Sequence, residues 1–190
     1  IAEQLFGAGA PEMERVGRIF REFEELLESK VPGDYDHDYD MIVSNGEIWS
    51  TLIVEAYLRS RGLRSEWADA RKLLITDGRH RDAGIMWEAS QKAVKEYINF
   101  SSADLYVTQG FIGANEAGEA TTLGREGSDY SAALFANMLD ASDVVVWKDV
   151  PGIMNADPDW MPSAVTLPHI SYLAAVEMTY SGARVIPPKT

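Results

Sequence analysis

A chain of 190 residues that is 46% hydrophobic and 25% charged has room for one sizeable core and is expected to form a single soluble domain. Seventeen basic against thirty acidic residues leave a net charge of −13, which argues against a general nucleic-acid or anionic-membrane surface. No cysteine is present, which excludes disulfides and thiolate chemistry and is compatible with a cytoplasmic protein, and no apolar run approaches a membrane span. The start at Ile1, without a basic-then-apolar leader, reads as a trimmed piece rather than a secretory signal.

In chain order, Pro11 followed by Glu12 and Glu14 marks a helix start, and Met13, Val16, Phe20, Phe23 and Leu27 recur at helical spacing until Pro32-Gly33. Asp34 to Asp40 is polar and strongly acidic, a connecting loop or a helix entry. Ile48, Leu52, Ile53, Ala56 and Tyr57 predict a second helix that closes at Arg59, Arg61 and Gly62. Ser65–Ala70 reads as a short strand and Leu73-Leu74-Ile75 as a possible second one. Met86, Ala89, Ala93, Val94 and Tyr97 predict a further helix, and Leu105–Thr108 a buried strand. Asn115–Glu119 is a turn between two extended pieces. Ser128 or Asp129 caps a helix running to about Asp140, with Leu134, Phe135 and Met138 inward. Val144–Trp147 is the clearest strand in the pattern. Ser171 caps a last helix that Gly182 stops. Helices alternating with short apolar strands predict an α/β sandwich around a mostly parallel sheet.

An acidic protein binds an anion only where cations and backbone N–H groups are focused, and one stretch meets that requirement. Gly124-Arg125-Glu126-Gly127-Ser128-Asp129 stands immediately before a helix, where unpaired N–H groups favour negative charge. Arg125 adds a planar fork suited to a carboxylate. Alone, these residues leave two readings open, an anion site or a plain turn with a helix cap.

The neighbouring segments bear on that choice. Val107-Thr108-Gln109-Gly110-Phe111-Ile112-Gly113, Thr121-Thr122-Leu123-Gly124-Arg125 and Gly127-Ser128-Asp129-Tyr130 follow one another in order. Upstream stands Val43-Ser44-Asn45-Gly46-Glu47. Downstream stand Trp147-Lys148-Asp149-Val150-Pro151-Gly152-Ile153, Asp157-Pro158, Ile170-Ser171-Tyr172 and Gly182-Ala183-Arg184-Val185-Ile186. In wording and order, from about residue 40 onward, these resemble the aspartokinases, enzymes of the amino-acid kinase family.

The resemblance implies a three-layer α/β/α sandwich of the amino-acid-kinase type, truncated at both ends relative to the family. It implies that the parent protein moves the γ-phosphoryl group of ATP to the β-carboxylate of L-aspartate, in the pathway to lysine, threonine and methionine. Mg2+ is then needed and held mainly by nucleotide phosphates, and the parent is expected to be a homo-oligomer. By motif position Arg125 holds a substrate carboxylate and Glu47 the substrate ammonium, with Ser128 nearby. Asp129 is the acid that orients the family's catalytic lysine, while Lys148, Asp149 and Arg184 belong to the nucleotide side. The acceptor carboxylate is already ionised at neutral pH, so no general base is called for.

The chain also departs from the family. The family's opening lysine-phenylalanine-glycine-glycine-threonine-serine loop, which supplies the phosphate-binding lysine and glycines, does not occur here, so the isolated chain is expected not to turn over; the C-terminal regulatory ACT modules do not occur in it either. Glu126 replaces a glycine beside the anion site, Met154 a tyrosine, Asp159 an arginine and Pro187 a histidine. Rival readings are another enzyme of this fold, acting on glutamate derivatives or UMP, and a non-catalytic aspartate-binding or structural domain. His37 among alternate aspartates looks like a metal cluster on paper, but such carboxylates are read as solvated and no metal site is assigned. His80, between Arg79 and Arg81, is expected to be exposed.

Overall fold

Two short parallel strands divide the hydrophobic interior in two. The computed structural model describes residues 1–7, 9–29 and 34–182. Strand β1 (Ser65–Ala68) pairs in parallel with β2 (Leu105–Thr108), Ser65 opposite Leu105 and Ala68 opposite Thr108. Successive side chains of a strand point to opposite faces, and here each face meets its own core. On one side Trp67 packs against Ile48, Leu52, Ala70 and Ile112. On the other, Ala68 joins Leu73, Leu74, Ala83, Val94, Leu123, Leu134 and Met138.

Helices cover both sides. Five residues form α1 (Ala2–Phe6). Helix α2 (Pro11–Ser29) begins at the predicted proline, and its Phe20 and Phe23 pack on Trp49 with ring centroids 4.5 and 5.0 Å apart. Trp49 belongs to α3 (Tyr35–Ser60), which supplies Ile48 and Leu52 to the first core. The second core is closed by α4 (Trp87–Tyr97), carrying Val94, and α5 (Gly127–Met138), carrying Leu134 and Met138. Helix–strand–helix layering therefore follows from the two-faced strand. Strands β3 (Ile112–Ala114) and β4 (Ala120–Thr122) form an antiparallel pair across the Asn115–Glu119 turn, with Ile112 opposite Thr122. The last helix among the described residues, α6 (Tyr172–Tyr180), is capped as predicted, Ser171 Oγ accepting from the Ala174 amide at 3.2 Å.

One buried charge joins α2, α3 and β1. The carboxylate of Glu55 is fully buried and accepts from Arg15 Nη1 at 3.0 Å, Arg59 Nη2 at 2.5 Å and Ser65 Oγ at 3.1 Å. Three donors from three elements compensate the desolvation of a carboxylate that would otherwise be costly.

Several local expectations need correction. The acidic segment 34–40 is a helix entry: Asp34 accepts from the Asp36 amide at 3.2 Å and α3 runs unbroken from Tyr35. Leu73-Leu74-Ile75 is not a strand; Leu73 and Leu74 are core residues, and Ile75 makes only an isolated bridge to Ala114. Strand β2 is not fully buried, Leu105 being 37% exposed at its outer end. Val144–Trp147 forms no ladder among the described residues, and Trp147 is 91% exposed. An apolar run becomes a strand only where a neighbour can take its hydrogen bonds. Neither Ser128 nor Asp129 caps α5: that position falls to Glu126, at φ 59°, which puts both in the first turn. His80 is mostly buried, its side chain 15% exposed. No described helix is long and apolar enough to cross a membrane.

Candidate active site

The carboxyl ends of β1 and β2 point toward the start of α5, and a close backbone approach fixes that junction. Gly110, just beyond β2, lies so near the helix that a Cβ there would stand 2.9 Å from both Cα and Cβ of Ser128. Only glycine fits. Phe111 next to it donates its amide to Ser131 Oγ at 2.9 Å, while that hydroxyl donates to the Gly127 carbonyl at 2.8 Å. The first turn of α5 is thus bolted to the loop after β2, in the crevice where open α/β sheets place ligands.

Gln109 carries the connection back to α3. Its side chain is buried, accepts from the Ala70 amide at 2.8 Å and donates to Thr51 Oγ1 at 2.8 Å. Trp67 Nε1 donates to the same hydroxyl at 3.0 Å. Thr51 lies one turn beyond Glu47, whose carbonyl its hydroxyl also bonds at 2.8 Å. Glu47 is therefore carried on the part of α3 that adjoins the Gln109–Gly110 loop. Its side chain is half-buried and has no hydrogen-bond partner among the described residues. Burial raises its pKa above the ordinary glutamate value, because desolvation penalises the charged form.

Arg125 and Glu126 form the turn from β4 into α5, and both are exposed. Gly124 before them takes φ +81°, a conformation that suits glycine. Arg125 has no ion-pair partner among the described residues, so its guanidinium is available to an anion. Ser128 is exposed one turn along. Asp129, by contrast, is engaged: Lys148 Nζ lies 2.5 Å from its Oδ2, and both side chains are largely covered.

Lys148 sits at the edge of a cavity of about 450 Å3 with Trp147, Val150 and Ile153 in its wall. A larger one of about 700 Å3 follows, lined by Pro151, Met154, Asp157, Trp160, Met178 and Gly182. Neither is lined by Arg125 or Glu47, so the polar turn at α5 and the cavities along 145–160 are neighbouring but separate regions, joined by the Lys148–Asp129 pair. Asp149 is exposed and has no partner among the described residues; Arg184 lies outside them. Among the described residues no group of three acidic or histidine side chains is arranged to hold a metal ion.

The structure brings Ser128, Asp129 and Lys148 together and sets Glu47 on the adjoining helix. It shows no direct contact between Glu47 and Arg125. Three polar residues escaped the sequence reading: Gln109 and Asp40, both buried, and the half-buried Thr51. Gln109 lies within the quoted strand-end run, but its cross-linking role depends on partners far away in sequence.

Residues 8–190 match the model of the amino acid kinase family, and the chain belongs to that family. Its relatives within the family are aspartokinases. The chain is 37% identical over 178 residues to lysine-sensitive aspartokinase 3 of Escherichia coli, covering 93% of this chain and 40% of that protein. It is 39% identical over 145 residues to the bifunctional aspartokinase/homoserine dehydrogenase of Haemophilus influenzae, covering 76% of this chain and 18% of that one. A crystal structure of E. coli aspartokinase III in complex with aspartate and ADP superposes over 100% of this chain and 42% of its own, with a TM-score of 0.88 at 35% identity. The lysine- and aspartate-bound form of the same enzyme gives 0.81. The α/β amino-acid-kinase architecture expected from the motifs is the architecture found. The chain spans well under half the length of these relatives.

Proposed function

We propose that the parent protein is an aspartate kinase, transferring the γ-phosphoryl group of ATP to the β-carboxylate of L-aspartate to give an acyl phosphate and ADP. The Lys148–Asp129 pair carries this reading, because it draws the cavity-lining segment 145–160 onto the first turn of α5, beside the free guanidinium of Arg125. The relative solved with aspartate and ADP, alike over the whole chain, supports it.

The roles follow from the chemistry. Two anions must meet in line, so the work lies in positioning and in charge stabilisation. Arg125 holds a substrate carboxylate through paired N–H donors. Glu47 receives the substrate ammonium, which repays the desolvation that raises its pKa. Ser128 and the first amides of α5 donate to the acceptor end. Asp129, the acid expected to orient the family's catalytic lysine, pairs in this chain with the Lys148 ammonium on the nucleotide side, with Asp149 and Arg184 assigned to the same side. Mg2+ entering with the nucleotide, and held mainly by its phosphates, would supply charge neutralisation there. The parent is taken to be a cytoplasmic homo-oligomer.

A coupled ADP-release assay on the full-length protein tests the reading. ATP, Mg2+ and L-aspartate should give turnover, and glutamate or UMP should not. Turnover on glutamate or UMP but not aspartate would assign a different enzyme of the fold; no turnover on any acceptor would leave a binding or structural domain. The 190-residue chain alone, spanning 40% of the length of aspartokinase 3, is expected to show none.

A further inference from the structure

Asp40 is fully buried and belongs to none of the roles assigned above. Its Oδ1 accepts from the Thr122 hydroxyl at 2.7 Å. Its Oδ2 accepts from the Thr122 amide at 3.0 Å and the Arg81 amide at 2.8 Å, and stands 3.2 Å from His80 Nδ1. Three donors and the His80 ring nitrogen on one carboxylate are more than simple burial requires, and they come from two separate segments.

What those segments lead to gives the feature its meaning. Asp40 lies about two helical turns before Glu47 on the same side of α3. Thr122 ends β4, and only Leu123, which is fully buried, and Gly124 separate it from Arg125. The loop around Arg81 forms the wall of that turn: a Cβ on Gly124 would stand 2.7 Å from Asp82 Oδ1 and 3.3 Å from the Arg81 carbonyl. Arg81 itself takes φ 65°, and its guanidinium is held to α3 by Asp36 Oδ1 at 3.1 Å and over the Tyr39 ring at 4.8 Å. The loop is strapped to the helix at both backbone and side chain.

We propose that Asp40 is a positioning residue for the amino-acid acceptor: its carboxylate sets the spacing between Glu47 and Arg125 by bonding α3 at once to the end of β4 and to the Arg81 loop. This rests on the substrate roles proposed for Glu47 and Arg125. None of Asp40's partners touches Lys148, Asp129 or the cavities along 145–160, so its loss should be felt by aspartate and not by ATP.

The test uses the full-length protein with Thr122→Val, which removes the hydroxyl donor, Thr122→Ser, which keeps it, and Asp40→Asn. Thr122→Val and Asp40→Asn should raise KM for aspartate roughly 10–100-fold while KM for ATP stays within about twofold. Thr122→Ser should remain close to wild type. KM values for both substrates rising together, a fall in kcat at constant KM, or an unchanged Thr122→Val would overturn the proposal. Should Asp40→Asn fail to fold, the two Thr122 variants decide. Wild-type turnover on aspartate is measured first, since its absence defeats the functional reading separately. In that event hydrogen exchange at the Leu123–Arg125 amides decides: faster exchange in Thr122→Val than in Thr122→Ser supports positioning, and equal exchange overturns it.

Discussion

Lys148 reaches back to Asp129, its ammonium 2.5 Å from the carboxylate, and so ties a cavity-lining segment to the helix that follows Arg125. The Asp129 side chain is 14% exposed and that of Lys148 27%, so the pair is partly shielded from solvent, and the carboxylate is the partner more costly to strand. Asp129→Asn should lower kcat for phosphoryl transfer by roughly 10²–10³, the usual cost of losing one charge-stabilising group, because Lys148 is released from its position. Steady-state kinetics on the full-length protein checks this. A change confined to the KM for aspartate would place the pair on the wrong side of the site.

Glu47 is expected to show a trade between stability and function. Its folded pKa is raised by burial, so it favours the folded state below the unfolded value of 4.5 and becomes a liability as pH rises through the folded value. Glu47→Gln should therefore raise Tm at neutral pH, with the gain vanishing as pH falls toward 4.5, while weakening aspartate binding. Calorimetric melts across pH and titration with aspartate give the two readouts. A lowered Tm at neutral pH would mean that Glu47 has a structural partner.

Gly110 has no room for a methyl group, since the obstacle is the backbone of Ser128 rather than a movable side chain. Gly110→Ala should cost about 1–3 kcal/mol and push the first turn of α5 away from β2. Reduced kcat/KM with a lowered Tm is the expected result; unchanged kinetics would show that this junction does not position the site.

Glu55 predicts an asymmetry. Arg15 and Arg59 are partly solvated, so they tolerate its loss, whereas the buried carboxylate does not tolerate theirs. Arg15→Ala with Arg59→Ala should cost about 3–5 kcal/mol of local stability and Glu55→Gln about 1–3 kcal/mol. Hydrogen exchange of the α3 amides measures both, and equal losses would refute the asymmetry.

The parts of the fold legible in the sequence are those fixed by local chemistry. Pro11 with its acids, the Asn115–Glu119 turn and the Ser171 cap announce themselves within a few residues. The residues that proved hidden depend on distant partners. Nothing near Asp40 or Glu55 in the chain shows that Thr122, Arg81, Arg15 and Ser65 will surround them, so Asp40, which reads as solvated, and Glu55, which gives no signal, are both buried. Val144–Trp147 errs the other way: strand propensity is local, but a ladder is not. For the site, the order of motifs pointed to Glu47, Arg125, Ser128 and Asp129, while Gln109, Thr51 and Asp40, which hold their elements in register, carry no local signature.

Trapping the product with hydroxylamine tests aspartate kinase activity most directly, because an acyl phosphate is converted to a stable hydroxamate. With full-length protein, ATP, Mg2+ and L-aspartate, hydroxamate should accumulate in step with ADP. Arg125→Ala should reduce it by about 100-fold, as loss of a charge-assisted carboxylate contact implies. ADP release without hydroxamate, or hydroxamate formation unchanged in Arg125→Ala, would contradict the assignment of this turn as the aspartate site.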